Sequence, residues 1–185
     1  LNEGIVFEQA GQLENLNTLY ELLLGPNFIV SQVSASVKRT TPNPFAIHAD
    51  MNGYEQPFPG HSVIATSIFC CDEFTEDAGA TRFVPGSHHL RRHPVSGEGE
   101  SEAVAVAAPA GSIILWDGAM WHGNCPRSLV GERVVLHLTC NRQNVRPIES
   151  YIGIDPEVLR RNPPEFAGLL GLTDRWERRE MVRDS

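Results

Sequence analysis

The sequence predicts a mainly β fold, a jelly-roll barrel with helices at both ends, and three observations predict it. Short apolar runs with strand-like alternation recur at close spacing. The chain's 16 Gly and 13 Pro fall largely between those runs, where turns are needed. Helical periodicity is confined to the beginning and the tail, so there is no alternation of strand and helix of the kind that builds a parallel sheet.

Each element has its own signal. Leu13, Leu16, Leu19, Tyr20, Leu23 and Leu24 recur at three- and four-residue steps, which predicts an amphipathic helix over Glu8 to Leu24, stopped by Gly25-Pro26 and packed on the outside of the sheet. From Phe28 to Lys38 the apolar residues Ile29, Val33, Ala35 and Val37 fall on odd positions, giving a strand with one buried face. Thr41-Pro42-Asn43-Pro44 is a break, and Phe45 to Asp50 a short strand. Met51 to His61 holds two Pro and two Gly and reads as a loop. Ser62 to Cys71 is a strand, Asp72 to Gly79 an acidic turn, and Ala80 to Val84 a strand closed by Pro85-Gly86. The stretch from His88 to Glu100 is polar and exposed, and Ala103 to Ala107, Gly111 to Trp116 and Arg133 to Cys140 complete the strands. Pro156 to Arg161, Pro164 to Leu172 and Asp174 to Val182 read as short helices.

Length and composition bound the rest. One domain over residues 1–185 is expected, long enough for a single substantial core, with 41% hydrophobic and 21% charged residues as in soluble globular proteins. A net charge of −8 argues against nucleic acid or an anionic membrane as partner, since both are met by basic faces. A small anionic ligand remains compatible with it, because that needs only a local Arg. Cys70, Cys71, Cys125 and Cys140 lack metal-finger spacing, and the adjacent pair points to opposite faces of a strand, so reduced thiols and a cytoplasmic setting are expected. No run reaches the length of a transmembrane helix and no signal peptide is visible. A monomer or homodimer acting on a small molecule is the expected state.

The candidate chemistry begins at His48-Ala49-Asp50. On an extended segment an imidazole and a carboxylate two residues apart point to the same side, so both reach one ion. If a second imidazole arrives from a later strand, two His and one carboxylate hold one face of a metal and leave the others open, the arrangement of non-haem Fe(II) oxygenases. His122, in Trp121-His122-Gly123, is the candidate, and Arg133 stands eleven residues beyond it. An Arg at the head of the apolar run Val134 to Leu138 needs an anionic partner, because its guanidinium keeps its charge.

His48-Ala49-Asp50, the stretch from Gly79 to His88 (GATRFVPGSH), and His122 with Arg133 eleven residues on together resemble the phytanoyl-CoA dioxygenase family, over about Phe28 to Asn141. The resemblance implies a double-stranded β-helix (cupin-like) core, with Fe(II), 2-oxoglutarate and O2 as cofactor and co-substrates. It implies His48, Asp50 and His122 as metal ligands and Arg133 as the clamp on the distal carboxylate of 2-oxoglutarate, a bidentate geometry that Lys does not reproduce. An intact Asp50 favours oxygen transfer over halogenation, since related halogenases lack the carboxylate there. Family members usually carry helices before the core, and with Leu1 in place of Met, residues upstream are expected.

Thr66 and Ser128 are expected near the co-substrate, and Met51, Tyr54, Phe58 and Trp121, by position, near the substrate. Arg82 and Ser87 flank the Pro85-Gly86 turn and are expected to be structural, Trp116 is expected in the core, and His61, His88, His89, His93 and His137 are surplus to a three-ligand site. Two alternatives stay open: a cupin-like metal enzyme that does not use 2-oxoglutarate, and a non-catalytic small-molecule-binding jelly roll.

Overall fold

The computed structural model describes residues 4–173. Eight strands make two four-stranded antiparallel sheets. β1 (Ile29–Lys38), β8 (Arg133–Asn141), β3 (Ile64–Cys70) and β6 (Ile113–Asp117) form one, in the order β1-β8-β3-β6. The second has the order β2-β7-β4-β5, from β2 (Phe45–His48), β7 (His122–Asn124), β4 (Thr81–Phe83) and β5 (Val104–Ala105). The chain crosses from one sheet to the other at nearly every connection, which is the jelly-roll winding the turn spacing predicts.

Helices cover the outside of the larger sheet. Leu16, Tyr20 and Leu24 of α2 (Glu14–Leu24) pack with Ala65, Leu138 and Cys140 from the outward rows of β3 and β8. Val158 of α3 (Pro156–Arg160) and Phe166 and Leu169 of α4 (Glu165–Leu169) close the same cluster. The Tyr20 hydroxyl satisfies itself within this apolar layer, 2.8 Å from Ser67 Oγ and 2.7 Å from the Leu138 carbonyl oxygen. Asp155 accepts the Glu157 N–H and Pro156 opens α3, so the cap chemistry there is complete.

Four expectations are corrected. The single helix over Glu8 to Leu24 is two, α1 (Ile5–Ala10) and α2. Glu8 is fully buried and accepts from Arg161 and Asn162, which ties α1 to the tail while α2 lies on the sheet. Second, β1 has no single buried face along its length: Ile29, Val30 and Ser31 are all buried, Val33 packs under the helices, Gln32, Ser34 and Ser36 line the space between the sheets, and Ala35 and Val37 are exposed. Third, β7 has no apolar alternation to announce it. Fourth, the stretch from His88 to Glu100 opens in a 3₁₀ turn (Ser87–Leu90) and is only partly exposed, with Gly99 buried and His88, Arg92, His93 and Glu98 half-buried. The helix expected over Asp174 to Val182 lies outside the described residues. All four cysteines are free thiols, and no helix among the described residues is long and apolar enough to cross a membrane.

Candidate metal centre

His48 ends β2 and His122 opens β7, and the two are paired in register, with ring centroids 4.3 Å apart. Gly123 makes that approach feasible. A Cβ there would stand 2.4 Å from the Phe45 carbonyl oxygen, far inside contact distance, so any side chain would part the two strands. Asp50 follows β2 and is held by its N–H, which donates to the Gly118 carbonyl at 2.8 Å.

The three side chains converge. His48 Nε2 lies 3.6 Å from Asp50 Oδ1 and His122 Nε2 3.7 Å from Asp50 Oδ2, and one potential ligand atom from each residue lies within 4.8 Å of the others. Each imidazole places Nδ1 3.0 Å from the carbonyl oxygen two residues before it, Ala46 for His48 and Met120 for His122. A carbonyl only accepts, so Nδ1 carries the proton and the Nε2 lone pair is free for the shared centre. Thr66 Oγ1 and Trp116 Nε1 both donate to Asp50 Oδ2, at 3.1 and 3.3 Å, and fix the carboxylate.

Electrostatics reinforce this geometry. Burial disfavours the Asp50 charge, but the hydrogen bond to His48 and the charges of His122 and His48 outweigh it and hold the carboxyl below its ordinary pKa. Burial likewise pulls against the charged form of His48, yet its hydrogen bond to Asp50 leaves it raised. For His122 burial dominates and the pKa is lowered. Two nitrogens and an oxygen anion on one side suit a first-row metal with its other positions facing a ligand space. That space is a cavity of about 620 Å³ between the sheets, within the size range of small-molecule sites.

Arg133 lines the same cavity. It is 3% exposed, its Nη1 donates to the Gly79 carbonyl, and its guanidinium carbon lies 4.3 Å from the centre of the Phe74 ring. Its Nε has no hydrogen-bond partner, and among the described residues no carboxylate pairs with it. Burial, then the neighbouring Arg127, pushes its pKa down, the signature of a cation lacking a counter-charge.

Not every expected residue joins this group. Ser128 is exposed and bonded to the Asp77 backbone and carboxylate, because its loop folds over the acidic turn and away from the cavity. Met51, Phe58 and Trp121 are 2%, 0% and 1% exposed and pack with Ile47, Val63 and Val84 in a separate apolar cluster, so only Tyr54 of the four expected substrate contacts lines the cavity. Met51 follows Asp50 and Trp121 precedes His122 by one residue, and neighbouring side chains on extended backbone face opposite ways. Trp121 instead donates Nε1 to the Arg92 carbonyl.

Trp116, buried in the core as expected, also lines the cavity, and the cavity residues not foreseen include Arg146, His137 and Thr139, the last two alternating with Arg133 along β8. That two-residue spacing from Arg133 was the signal that would have found the last two. His137 Nε2 lies 3.0 Å from Ser36 Oγ. Arg82 and Ser87 are structural, as expected. Arg82 pairs with Glu100 at 2.5 Å, and Ser87 Oγ accepts the Trp121 N–H at 2.8 Å.

A jelly roll that turns two imidazoles and a carboxylate into its cavity defines the class: a double-stranded β-helix protein with a His-Asp-His cluster able to hold a metal ion. The family model described as phytanoyl-CoA dioxygenase (PhyH) matches residues 8–128, and the chain belongs to that family. Dioxygenase af480 of Aspergillus fumigatus is 29% identical over 159 residues, covering 84% of this chain and 51% of the relative. Dioxygenase cdmA of Talaromyces verruculosus is 30% identical over 107 residues, covering 56% of this chain and 35% of the relative. The chain thus spans about half the length of the first and a third of the second. Among solved structures, HygX from Streptomyces hygroscopicus with nickel, 2-oxoglutarate and hygromycin B bound superposes with a TM-score of 0.65 at 13% identity, over 78% of this chain and 68% of HygX. The non-heme monooxygenase ThoJ, as its nickel complex, gives 0.56 at 22% identity, over 74% and 54%. Both share the fold.

Proposed function

We propose that this protein is an Fe(II)- and 2-oxoglutarate-dependent dioxygenase that hydroxylates a small organic molecule, with 2-oxoglutarate and O2 converted to succinate and CO2 as one oxygen atom enters a C–H bond. The observation that carries the proposal is the pairing, in one cavity, of the His48-Asp50-His122 cluster with a buried Arg133 that makes no ion pair among the described residues. Membership of the phytanoyl-CoA dioxygenase family and a neighbour of the same fold with 2-oxoglutarate bound support it.

His48, Asp50 and His122 would hold the iron, whose two nitrogens and one carboxylate oxygen match its preferences. The bound metal supplies the capacity to activate O2 with the co-substrate. Arg133 binds the distal carboxylate of 2-oxoglutarate through parallel N–H donors, satisfying a guanidinium that is costly to leave buried and unpaired. Thr66 and Trp116 act through Asp50, holding the carboxylate in the orientation the metal needs. Tyr54 stands on the substrate side of the cavity. Residues 1–185 would act as a single oxygenase domain.

The test is anaerobic. Fe(II) and then 2-oxoglutarate are added to the metal-free protein and the visible charge-transfer absorption of the chelate is recorded, with Arg133→Ala alongside. The band is expected in the parent, and the variant is expected to need at least about ten-fold more co-substrate. Iron binding without any band would sink the co-substrate assignment and favour a metal-dependent jelly-roll enzyme that does not use 2-oxoglutarate.

A further inference from the structure

The cavity has two ends, and the inward row of β8 measures it. Arg133, Val135, His137, Thr139 and Asn141 share that face, and at about 3.3 Å per residue the row is roughly 26 Å from first Cα to last. The metal cluster meets the row near Thr139, whose Oγ1 lies 3.3 Å from Thr66 Oγ1, itself the donor to Asp50. Arg133 occupies one end. At the other, Asn141 Nδ2 donates to the Arg146 carbonyl at 3.2 Å, which places Arg146 at the rim beyond the metal.

That rim is a built feature. Ser31, fully buried, accepts the Ile148 N–H through Oγ at 3.0 Å and the Glu149 N–H through its carbonyl at 2.8 Å, and the Arg142 N–H bonds the Val63 carbonyl at 3.0 Å. Arg142 spends its guanidinium on backbone carbonyls, those of Ser62 and Leu23. Arg146 differs. It is exposed at the mouth of the cavity it lines, and among the described residues its side chain makes no hydrogen bond and no ion pair, so only solvent meets its charge.

Charge balance gives that cation a purpose. Asp50 is the sole carboxylate among the cavity-lining residues, on a chain of net charge −8. A divalent metal, Asp50, Arg133 and the 2-oxoglutarate dianion sum to zero, which leaves the Arg146 charge unmatched. The lining mixes neutral polar groups, from Gln32, Asn52, Tyr54 and Asn141, with the apolar Ile64, Val145 and Ile148. An acyl chain laid there would strip water from the amides without replacing their hydrogen bonds, whereas a polar ligand would pair with them.

We infer that the substrate is a small polar acid whose single negative group, a carboxylate or an equivalent oxyanion, is bound by Arg146 at the end of the cavity opposite Arg133. The inference rests on the oxygenase proposal above and names the substrate class for that site. Charge-assisted hydrogen bonds from Arg146 would anchor the acid at the rim and leave the rest of the molecule directed inward, toward the metal.

The test loads the full chain with Fe(II) and 2-oxoglutarate without oxygen and titrates hydroxy- and amino-carboxylic acids and phosphate monoesters, each beside its neutral amide or alcohol, with acetyl-coenzyme A as a further arm. Binding is read by calorimetry and by the shift of the visible band. At least one acid is expected to bind about ten-fold or more tightly than its neutral partner. Arg146→Gln is expected to level that pair, and Arg146→Glu to reverse it in favour of a cationic amine, with 2-oxoglutarate affinity still within about two-fold of the parent. The inference is overturned if neutral partners or the thioester bind as well as the acids, if the preference survives in Arg146→Gln, or if no acid binds although the band has formed. Absence of the band in the parent is a different result, which removes the oxygenase proposal itself.

Discussion

The two faces of the β1-β8-β3-β6 sheet differ more than any other two regions of the molecule, although they alternate residue by residue. Outward, Leu138 and Cys140 pack under Tyr20 and Leu16 in a dry apolar layer. Inward, their neighbour Thr139 joins Thr66 in hydrogen bonds that lead to Asp50, and His137 bonds Ser36. The helices thus supply an apolar layer on the outside, whereas between the sheets, where small domains keep their apolar core, Ile68, Trp116 and Val135 share the space with the polar side chains around the cluster. Outward and inward positions are therefore expected to respond to different substitutions.

The sharpest break is Asp50→Ala. It removes the carboxylate ligand, so metal affinity is expected to fall by well over about 100-fold and turnover with it, while the urea midpoint of the metal-free protein changes by about 1 kcal/mol or less. Metal titration and denaturation of the same sample check both halves. Leu138→Ala is the mirror image. A buried leucine on the outward face is expected to cost about 2–5 kcal/mol in denaturant unfolding, with metal affinity of the folded protein nearly unchanged. A collapse of metal binding in step with stability would show that the two faces are not separable.

Thr66→Val sharpens the comparison within the inner row. The isosteric change deletes one donor to Asp50 and leaves Trp116 as the other, so metal binding is expected to weaken about ten-fold with a stability change of about 1 kcal/mol or less. Equal metal affinity in this variant would mean that Trp116 alone orients the carboxylate. The smallest effect is that of pH. His48 has a raised pKa, so its proton competes with the metal over the upper imidazole range, and metal affinity is expected to rise with pH there by up to about ten-fold per unit. In the metal-free protein the sign is opposite: stability from protonated His48 is present below the ordinary imidazole pKa and lost as pH rises through the raised one. Calorimetric metal titrations at several pH values, paired with urea unfolding of the metal-free protein, check both directions.

Much of the site was legible because its spacing is local. His48 and Asp50 sit two apart on extended backbone, and a charged Arg133 at the head of an apolar strand announces an absent partner. Proximity in sequence misled elsewhere. Met51 and Trp121 adjoin Asp50 and His122 yet point the opposite way, and Trp116, in the core as expected, also donates to Asp50. Ser128 precedes Arg133 by five residues and still faces solvent. β7 escaped notice because His122-Gly123-Asn124 offers no apolar rhythm, only a glycine that lets β2 come close.

By itself the sequence determined the strand periodicity, the jelly-roll class and the pairing of His48 with Asp50 on one side of the chain, because each is a property of neighbouring residues on one backbone, while His122 and Arg133 were picked out by resemblance to a family pattern. Only the tertiary structure decided what covers each face. Alternation reports that a strand has two unlike sides, but a polar row lining a cavity reads the same as a polar row in water. The burial of Glu8 against Arg161, the second donor on Asp50 and the arginine at the cavity rim all depend on contacts between residues far apart in the chain.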